Sequence, residues 1–212
     1  MPKYTAFFLD VDGTLIDSLG AKNVVFMQLL SEEGIPTSFS NRLILDSIAL
    51  TRVERFKMIW RAFYHKEIPT LILKKLLELS ETRLLNTEYK PLPGVDLFLN
   101  TYAPRANLHV VSAANHIEVV ESFNRLGWND YFTTINADLE NKSVAFDKLL
   151  NEFAYPIHEC LSVGDTQRDC DAAIQTGIDY WQIGSNSNTE ARNTNNFIGS
   201  SIDFFALINH LG

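Results

Sequence analysis

Two aspartates at the end of an apolar run carry the first chemistry in this chain. Tyr4 to Val11 is almost wholly apolar, the pattern of a short strand buried on both faces, and it contains the start of Asp10-Val11-Asp12-Gly13-Thr14. Carboxylates two residues apart on a strand share a side, and where the chain turns both can face one site. Gly13 permits that turn and a close approach of backbone to ligand. Such a pair suits a hard cation such as Mg²⁺, usually held by one or two carboxylates together with substrate phosphate. The same residues also fit a plain strand-to-loop turn with aspartate caps. The flanking strand and the missing glutamate spacing exclude a helix–loop–helix calcium site.

A second acidic group follows another apolar run, in Val163-Gly164-Asp165-Thr166-Gln167-Arg168-Asp169. Asp165 lies just past the strand, and Asp169, one helical turn on, points back toward the same place. Asp171 reads as the solvated face of that helix. Four carboxylates brought together require a counter-ion, either a divalent cation or a lysine. Two other strand ends offer what an anion needs. Val110-Val111-Ser112-Ala113 ends in a hydroxyl and backbone N–H groups that lead into a helix. Lys142 stands just before a helix that starts near Val144, although a lone loop lysine is ordinarily surface.

The elements that must position these residues alternate. After residue 94, apolar runs at Leu108–Val111, Tyr131–Ile135, Cys160–Val163 and Tyr180–Ile183 are separated by helical stretches at Ile117–Leu126, Val144–Phe153 and Asp169–Thr176. That rhythm predicts an α/β fold, with a parallel sheet covered by helices. Functional groups of such a sheet gather outside the carboxyl ends of its strands, where all four aspartates fall. Residues 18–88 break the rhythm: they show helical spacing and no convincing strand, and they close at Pro91-Leu92-Pro93-Gly94. We read two parts, a core of residues 1–17 and 89–212 and a helical insertion of residues 18–88.

Composition narrows the function classes. The chain has 212 residues, a formal net charge of −8 and a sequence pI near 5.1, so no basic footprint favours nucleic acid or a membrane surface. The insertion carries 10 basic against 8 acidic side chains and the remainder 8 against 18, which suits an anionic substrate and a cation in the core. Ordinary solvated helix faces account for the same balance. Cys160 and Cys170 cannot build a disulfide framework, and no signal peptide or membrane span is evident, so a reducing cytoplasm is expected. His65, His109, His158 and His210 lack metal spacing, and His116 reads as a surface residue at a helix start. Trp60, Trp128 and Trp181 read as core, and Arg52 and Arg55 as surface residues that could also reach a substrate. The stretch from Ser185 to Asn196 reads as a polar surface loop.

In chain order, the Asp10–Thr14 motif, Ser112, Lys142 and Gly164-Asp165 with Asp169 resemble the haloacid dehalogenase-like hydrolase superfamily. The resemblance spans the whole chain and is closest to the phosphoglycolate phosphatase and beta-phosphoglucomutase-like branch. It implies a Rossmann-like core with an inserted α-helical cap. It also implies roles. Asp10 would be the nucleophile and a Mg²⁺ ligand; Asp12 the general acid and base, with its backbone carbonyl on the metal. Ser112, the Ala113 N–H and Lys142 would hold the phosphoryl group, Asp165 would bind Mg²⁺, and Asp169 would support metal and lysine. A second acid at Asp12 suits phosphoryl transfer, because a halide leaves without protonation. Ser143 follows Lys142 where the family often has proline, and Ala113 stands where many relatives carry Asn or Gly. Lys148 is a fallback for Lys142. The function implied is a Mg²⁺-dependent phosphatase acting on a small phosphorylated metabolite. The alternatives are a sugar phosphomutase and a non-catalytic phosphate-binding relative.

Overall fold

The computed structural model describes residues 3–45, 50–184 and 194–212. The chain divides into two compact units, residues 1–18 with 89–212, and residues 19–88.

In the first unit the runs Ala6-Phe7-Phe8-Leu9, Leu108-His109-Val110-Val111 and Cys160 to Gly164 are buried along their whole length, as strands covered on both faces must be. In chain order the strands are β1 (Ala6–Leu9), β2 (Ile16–Asp17), β3 (Lys90–Pro91), β4 (Asn107–Val111), β5 (Thr134–Asn136), β6 (Cys160–Gly164), β7 (Asp179–Ile183) and β8 (Phe197–Ser201). Six form a parallel sheet in the order β5-β4-β1-β6-β7-β8. Counting only these six, the order is 3-2-1-4-5-6, a doubly wound sheet whose direction of winding reverses between β1 and β6. Leu9 is level with Val110 on one side and Val163 on the other. The ends of β1, β4 and β6 therefore lie side by side. β2 and β3 pair separately and antiparallel, Ile16 with Pro91 and Asp17 with Lys90.

The second unit holds α1 (Leu19–Glu32), α2 (Thr37–Leu45), α3 (Arg52–Tyr64) and α4 (Thr70–Leu85), with no strand among its described residues. Its core is built from Phe26, Leu29, Leu30, Phe56, Ile59, Trp60, Leu76 and Leu84. The remaining helices, α5 (Val95–Tyr102), α6 (His116–Leu126), α7 (Lys142–Phe153), α8 (Gln167–Thr176) and α9 (Phe204–Leu211), belong to the first unit. Gly127 and Gly177 close α6 and α8 at φ 71° and 77°, the left-handed caps their positions in the sequence suggest.

Several expectations shift. The strand expected at Tyr131–Ile135 begins only at Thr134. Asn129–Tyr131 is a single 3₁₀ turn instead, closed by the Tyr131 N–H on the Trp128 carbonyl at 3.1 Å. β8, α5 and α9 were not anticipated. The polar stretch 185–193 lies outside the described residues. The three tryptophans are buried, as are both cysteines. Arg55 is more than a surface residue: its guanidinium lies over the Phe26 ring, 5.0 Å from the centroid.

Candidate active site at the carboxyl ends of three strands

Asp10 extends the β1–β6 pairing by one residue, its N–H donating to the Val163 carbonyl at 3.0 Å. Beyond it the chain doubles back at once. The Leu15 and Ile16 N–H groups donate to the Val11 carbonyl at 2.9 and 3.0 Å, and Gly13 sits at φ 75° with its N–H on the Ile16 carbonyl. A residue with a side chain would be strained at that φ. This turn aims the Asp12 side chain at Ser18, whose hydroxyl donates to Asp12 Oδ1 at 2.5 Å.

Ser112 follows β4 and is fixed by its backbone. Its N–H donates to the Asn136 carbonyl at 2.9 Å, and its carbonyl accepts from the Leu139 N–H at 3.2 Å. The buried hydroxyl accepts from the Ala114 N–H at 3.2 Å. Ala113 itself is exposed.

Lys142 is the first residue of α7, which starts two residues before the expected Val144. The cap is Asn141, whose Oδ1 accepts from the Ser143 N–H at 2.9 Å and so starts the helix before Lys142 can lie in a loop. The ammonium is buried, 2.7 Å from Asp10 Oδ1 and 2.5 Å from Asp169 Oδ1. The contact with Asp10 is a buried ion pair. Burial works against the charge of Lys142, but the two carboxylates outweigh it and hold the pKa above the ordinary lysine value. Lys148 is exposed on the outer face of α7.

Asp165 follows β6 and Asp169 lies in the first turn of α8. The Thr166 N–H and hydroxyl donate to Asp169 Oδ2 at 3.0 and 2.5 Å, which leaves Oδ1 for Lys142. Gly164 makes room for this carboxyl group, since a Cβ there would stand 2.3 Å from Asp169 Cγ. Asp171 is exposed and accepts from Gln167 Nε2 at 2.7 Å, as expected of a solvated face.

The structure thus brings Asp10, Asp165 and Asp169 into one buried group, each offering an oxygen within 4.8 Å of the others, with Lys142 among them. The Asp12 carboxylate lies outside that trio and is turned toward Ser18. Ala113, Asn141, Lys142 and Arg168 line a cleft of about 200 Å³ beside it. A larger depression of about 470 Å³ in the helical unit, lined by Lys57, Arg61 and Glu67, contains none of these residues.

Three carboxylates around one ammonium leave an excess of negative charge. Burial, only partly offset by Lys142, raises the Asp10 pKa to about 6. Burial, then repulsion by Asp10 and Asp169, raises that of Asp165 to about 8. Asp165 Oδ1 is buried without a hydrogen-bond partner, while Asp10 Oδ1 faces the Lys142 ammonium. An all-oxygen donor set with one orphaned oxygen and an excess of negative charge fits a hard divalent cation.

Ser18, Thr166 and Tyr180, whose hydroxyl reaches the Gly164 carbonyl at 3.0 Å, were not read as site residues from the sequence. For Thr166 a signal existed, because Thr166-Gln167-Arg168-Asp169 has the spacing of a capping box. For Ser18 and Tyr180 none did, since both contacts are made through the fold.

Comparison with known proteins agrees with this architecture. A predicted phosphoglycolate phosphatase from Haemophilus somnus 129PT superposes with a TM-score of 0.82 at 19% identity, over 100% of both chains. A Thermotoga maritima protein assigned as a beta-phosphoglucomutase gives 0.77 at 17% identity, over 98% of this chain and 99% of that one. The magnesium-bound HAD-hydrolase YfnB of Bacillus subtilis gives 0.72 at 16% identity, over 99% of each. At these identities the likeness is one of fold. A search of curated proteins found no significant match. The model of the haloacid dehalogenase-like hydrolases matches residues 7–183, from the strand that delivers Asp10 to the one beyond Asp169. With the carboxylates of that span gathered at the adjacent ends of β1 and β6 and the Lys142 ammonium set among them, the chain belongs to the haloacid dehalogenase-like hydrolase family.

Proposed function

We propose that this protein is a Mg²⁺-dependent phosphatase of small phosphomonoesters, in the phosphoglycolate phosphatase and beta-phosphoglucomutase-like branch, working through an aspartyl-phosphate on Asp10. The observation that carries the reading is the buried Lys142 ammonium, held between Asp10 and Asp169 at the point where the sheet reverses its winding.

Asp10 attacks phosphorus, an Asp10 oxygen–phosphorus bond forms, and the bond to the leaving oxygen breaks. Asp12, as the acid, gives its proton to that oxygen. Asp12, now a carboxylate, takes a proton from water, and the resulting hydroxide displaces Asp10 to release inorganic phosphate. Lys142, the Ser112 hydroxyl and the Ala113 N–H meet the charge of the transferring group with donors set in place beforehand. Asp169 keeps Lys142 beside Asp10. Asp10, the Asp12 backbone carbonyl and Asp165 would hold Mg²⁺, which when bound neutralises phosphoryl charge. Residues 18–88 serve as the cap that restricts the site to small substrates, with β2 and β3 as its paired linkers. The free, buried Cys160 and Cys170 support placing it in a reducing cytoplasm.

A phosphomonoester screen that reads phosphate release, with and without EDTA, tests the proposal. Release from a small substrate that EDTA abolishes is expected; no release from any substrate would favour a phosphate-binding relative. Phosphate transfer between positions of a sugar 1-phosphate, primed with a bisphosphate, would mark a mutase instead.

A further inference from the structure

β7 lies beside β6, with Tyr180 level with Ser162 two residues before Gly164. The Tyr180 ring is buried, and its hydroxyl donates to the Gly164 carbonyl at 3.0 Å, with the Thr166 carbonyl at 3.4 Å as a weaker second acceptor. One hydroxyl thus sits against the carbonyls of the two residues that flank Asp165 in the chain. The aspartate's own Oδ1 is buried without a hydrogen bond, so no side-chain donor sets that oxygen. Its direction follows from the backbone between Gly164 and Thr166. The same short stretch anchors Asp169 through the Thr166 N–H and hydroxyl.

We propose that Tyr180 is a positioning residue for divalent-cation binding: its hydroxyl clamps the 164–166 backbone so that the Asp165 carboxylate points at the metal. The inference rests on the reading that Asp165 holds Mg²⁺, and it adds a residue from a neighbouring strand that never touches the ion. The contrasting role is that of a tyrosine that only fills the core. The two roles differ in what they do to metal affinity. Loss of a group that orients a ligand typically weakens metal binding 10- to 100-fold, by about tenfold at the low end, whereas loss of core stability alone leaves the affinity of the folded protein intact.

The test follows melting temperature across a Mg²⁺ titration in the intact chain, without substrate, for the wild type, Tyr180→Phe and Asp165→Ala. The wild type should gain stability with a saturable dependence on Mg²⁺, and Asp165→Ala should lose that gain. Tyr180→Phe should need about tenfold more Mg²⁺ for the same gain. A Tyr180→Phe protein that melts lower in EDTA but responds at the wild-type Mg²⁺ concentration overturns the proposal. A wild type that does not respond overturns the metal-site reading, and the proposal with it. Should Tyr180→Phe not fold, tyrosine labelled with ¹³C at the ζ-carbon and placed at position 180 alone reports on the wild-type contact. Its resonance should move with Mg²⁺ in step with the melting response, and a resonance that stays fixed at saturating Mg²⁺ contradicts the clamp.

Discussion

The Ser18 hydroxyl donates to Asp12 Oδ1 across 2.5 Å, tying the residue proposed as acid and base to the last position before α1. Ser18 is fully buried, and its N–H is itself held by the Ile16 carbonyl at 3.0 Å. The side chain is therefore a fixed donor. Replacing it by alanine removes one bond to a charged group, about 1.5–3 kcal/mol. We expect Ser18→Ala to slow turnover of alkyl phosphates by about tenfold, which corresponds to about 1.4 kcal/mol. Turnover of p-nitrophenyl phosphate, whose leaving oxygen needs little protonation, should fall much less. Equal losses on both substrates would contradict a role for Ser18 in setting the acid.

Gly164 is the tightest steric requirement of the site. A Cβ on it would stand 2.3 Å from Asp169 Cγ and 2.7 Å from Asp169 Oδ2, closer than any real contact. Gly164→Ala should push Asp169 away from both Thr166 and Lys142, lowering kcat by about 100-fold or more, or about 2.7 kcal/mol. Circular dichroism and kinetics on the same preparation check this, with wild-type activity in a folded protein as the contrary result.

The acidic motifs were legible because β1 and β6 are short runs buried on both faces, and a carboxylate at the end of such a run has few structural reasons to be there. β8 was not legible. Phe197-Ile198-Gly199-Ser200-Ser201 is a half-exposed edge strand with a glycine inside it. That glycine exists for the ring of Trp181, which a Cβ would meet at 2.3 Å, a neighbour that no local pattern reveals. α5 and α9 are only eight residues each, too short for a strong periodic signal. Lys142 could be singled out only by its order in the chain, because its ion pairs reach 132 residues back to Asp10 and 27 forward to Asp169.

His109 offers a pH test away from the catalytic cluster. It is fully buried on β4, with Nδ1 2.8 Å from Thr134 Oγ1 and Nε2 2.9 Å from the Tyr155 hydroxyl, and burial lowers its pKa to about 4. The unfolded chain takes up its proton near pH 6.5, before the folded protein does. Stability from this group is therefore complete above pH 6.5 and is lost as the pH falls toward 4, by about 3 kcal/mol in all. Urea unfolding of wild type and His109→Gln between pH 4 and 7.5 should give curves that converge as pH falls. A constant offset between them would contradict the assignment.

Lys142 is the cation that Asp10 and Asp169 share within the buried carboxylate group of the metal-free protein. Lys142→Met keeps the bulk and removes the charge. In EDTA we expect it to destabilise the fold by about 3–5 kcal/mol, the cost of breaking a buried pair from one side. Mg²⁺ should restore more stability to this variant than to the wild type, because it replaces the missing counter-charge. A variant as stable as the wild type in EDTA would mean that the ammonium does not hold the cluster together.

The most direct measurement asks whether phosphorus becomes attached to Asp10. The protein is mixed with p-nitrophenyl phosphate and Mg²⁺, quenched in acid within the first turnover, and digested for peptide mass spectrometry. The account predicts a phosphoryl adduct on Asp10 that appears and decays with turnover. Asp10→Asn should show no adduct, and its turnover should fall by at least about a thousandfold. Full turnover without an adduct at Asp10, or an Asp10→Asn variant that keeps even about a tenth of wild-type activity, would contradict it.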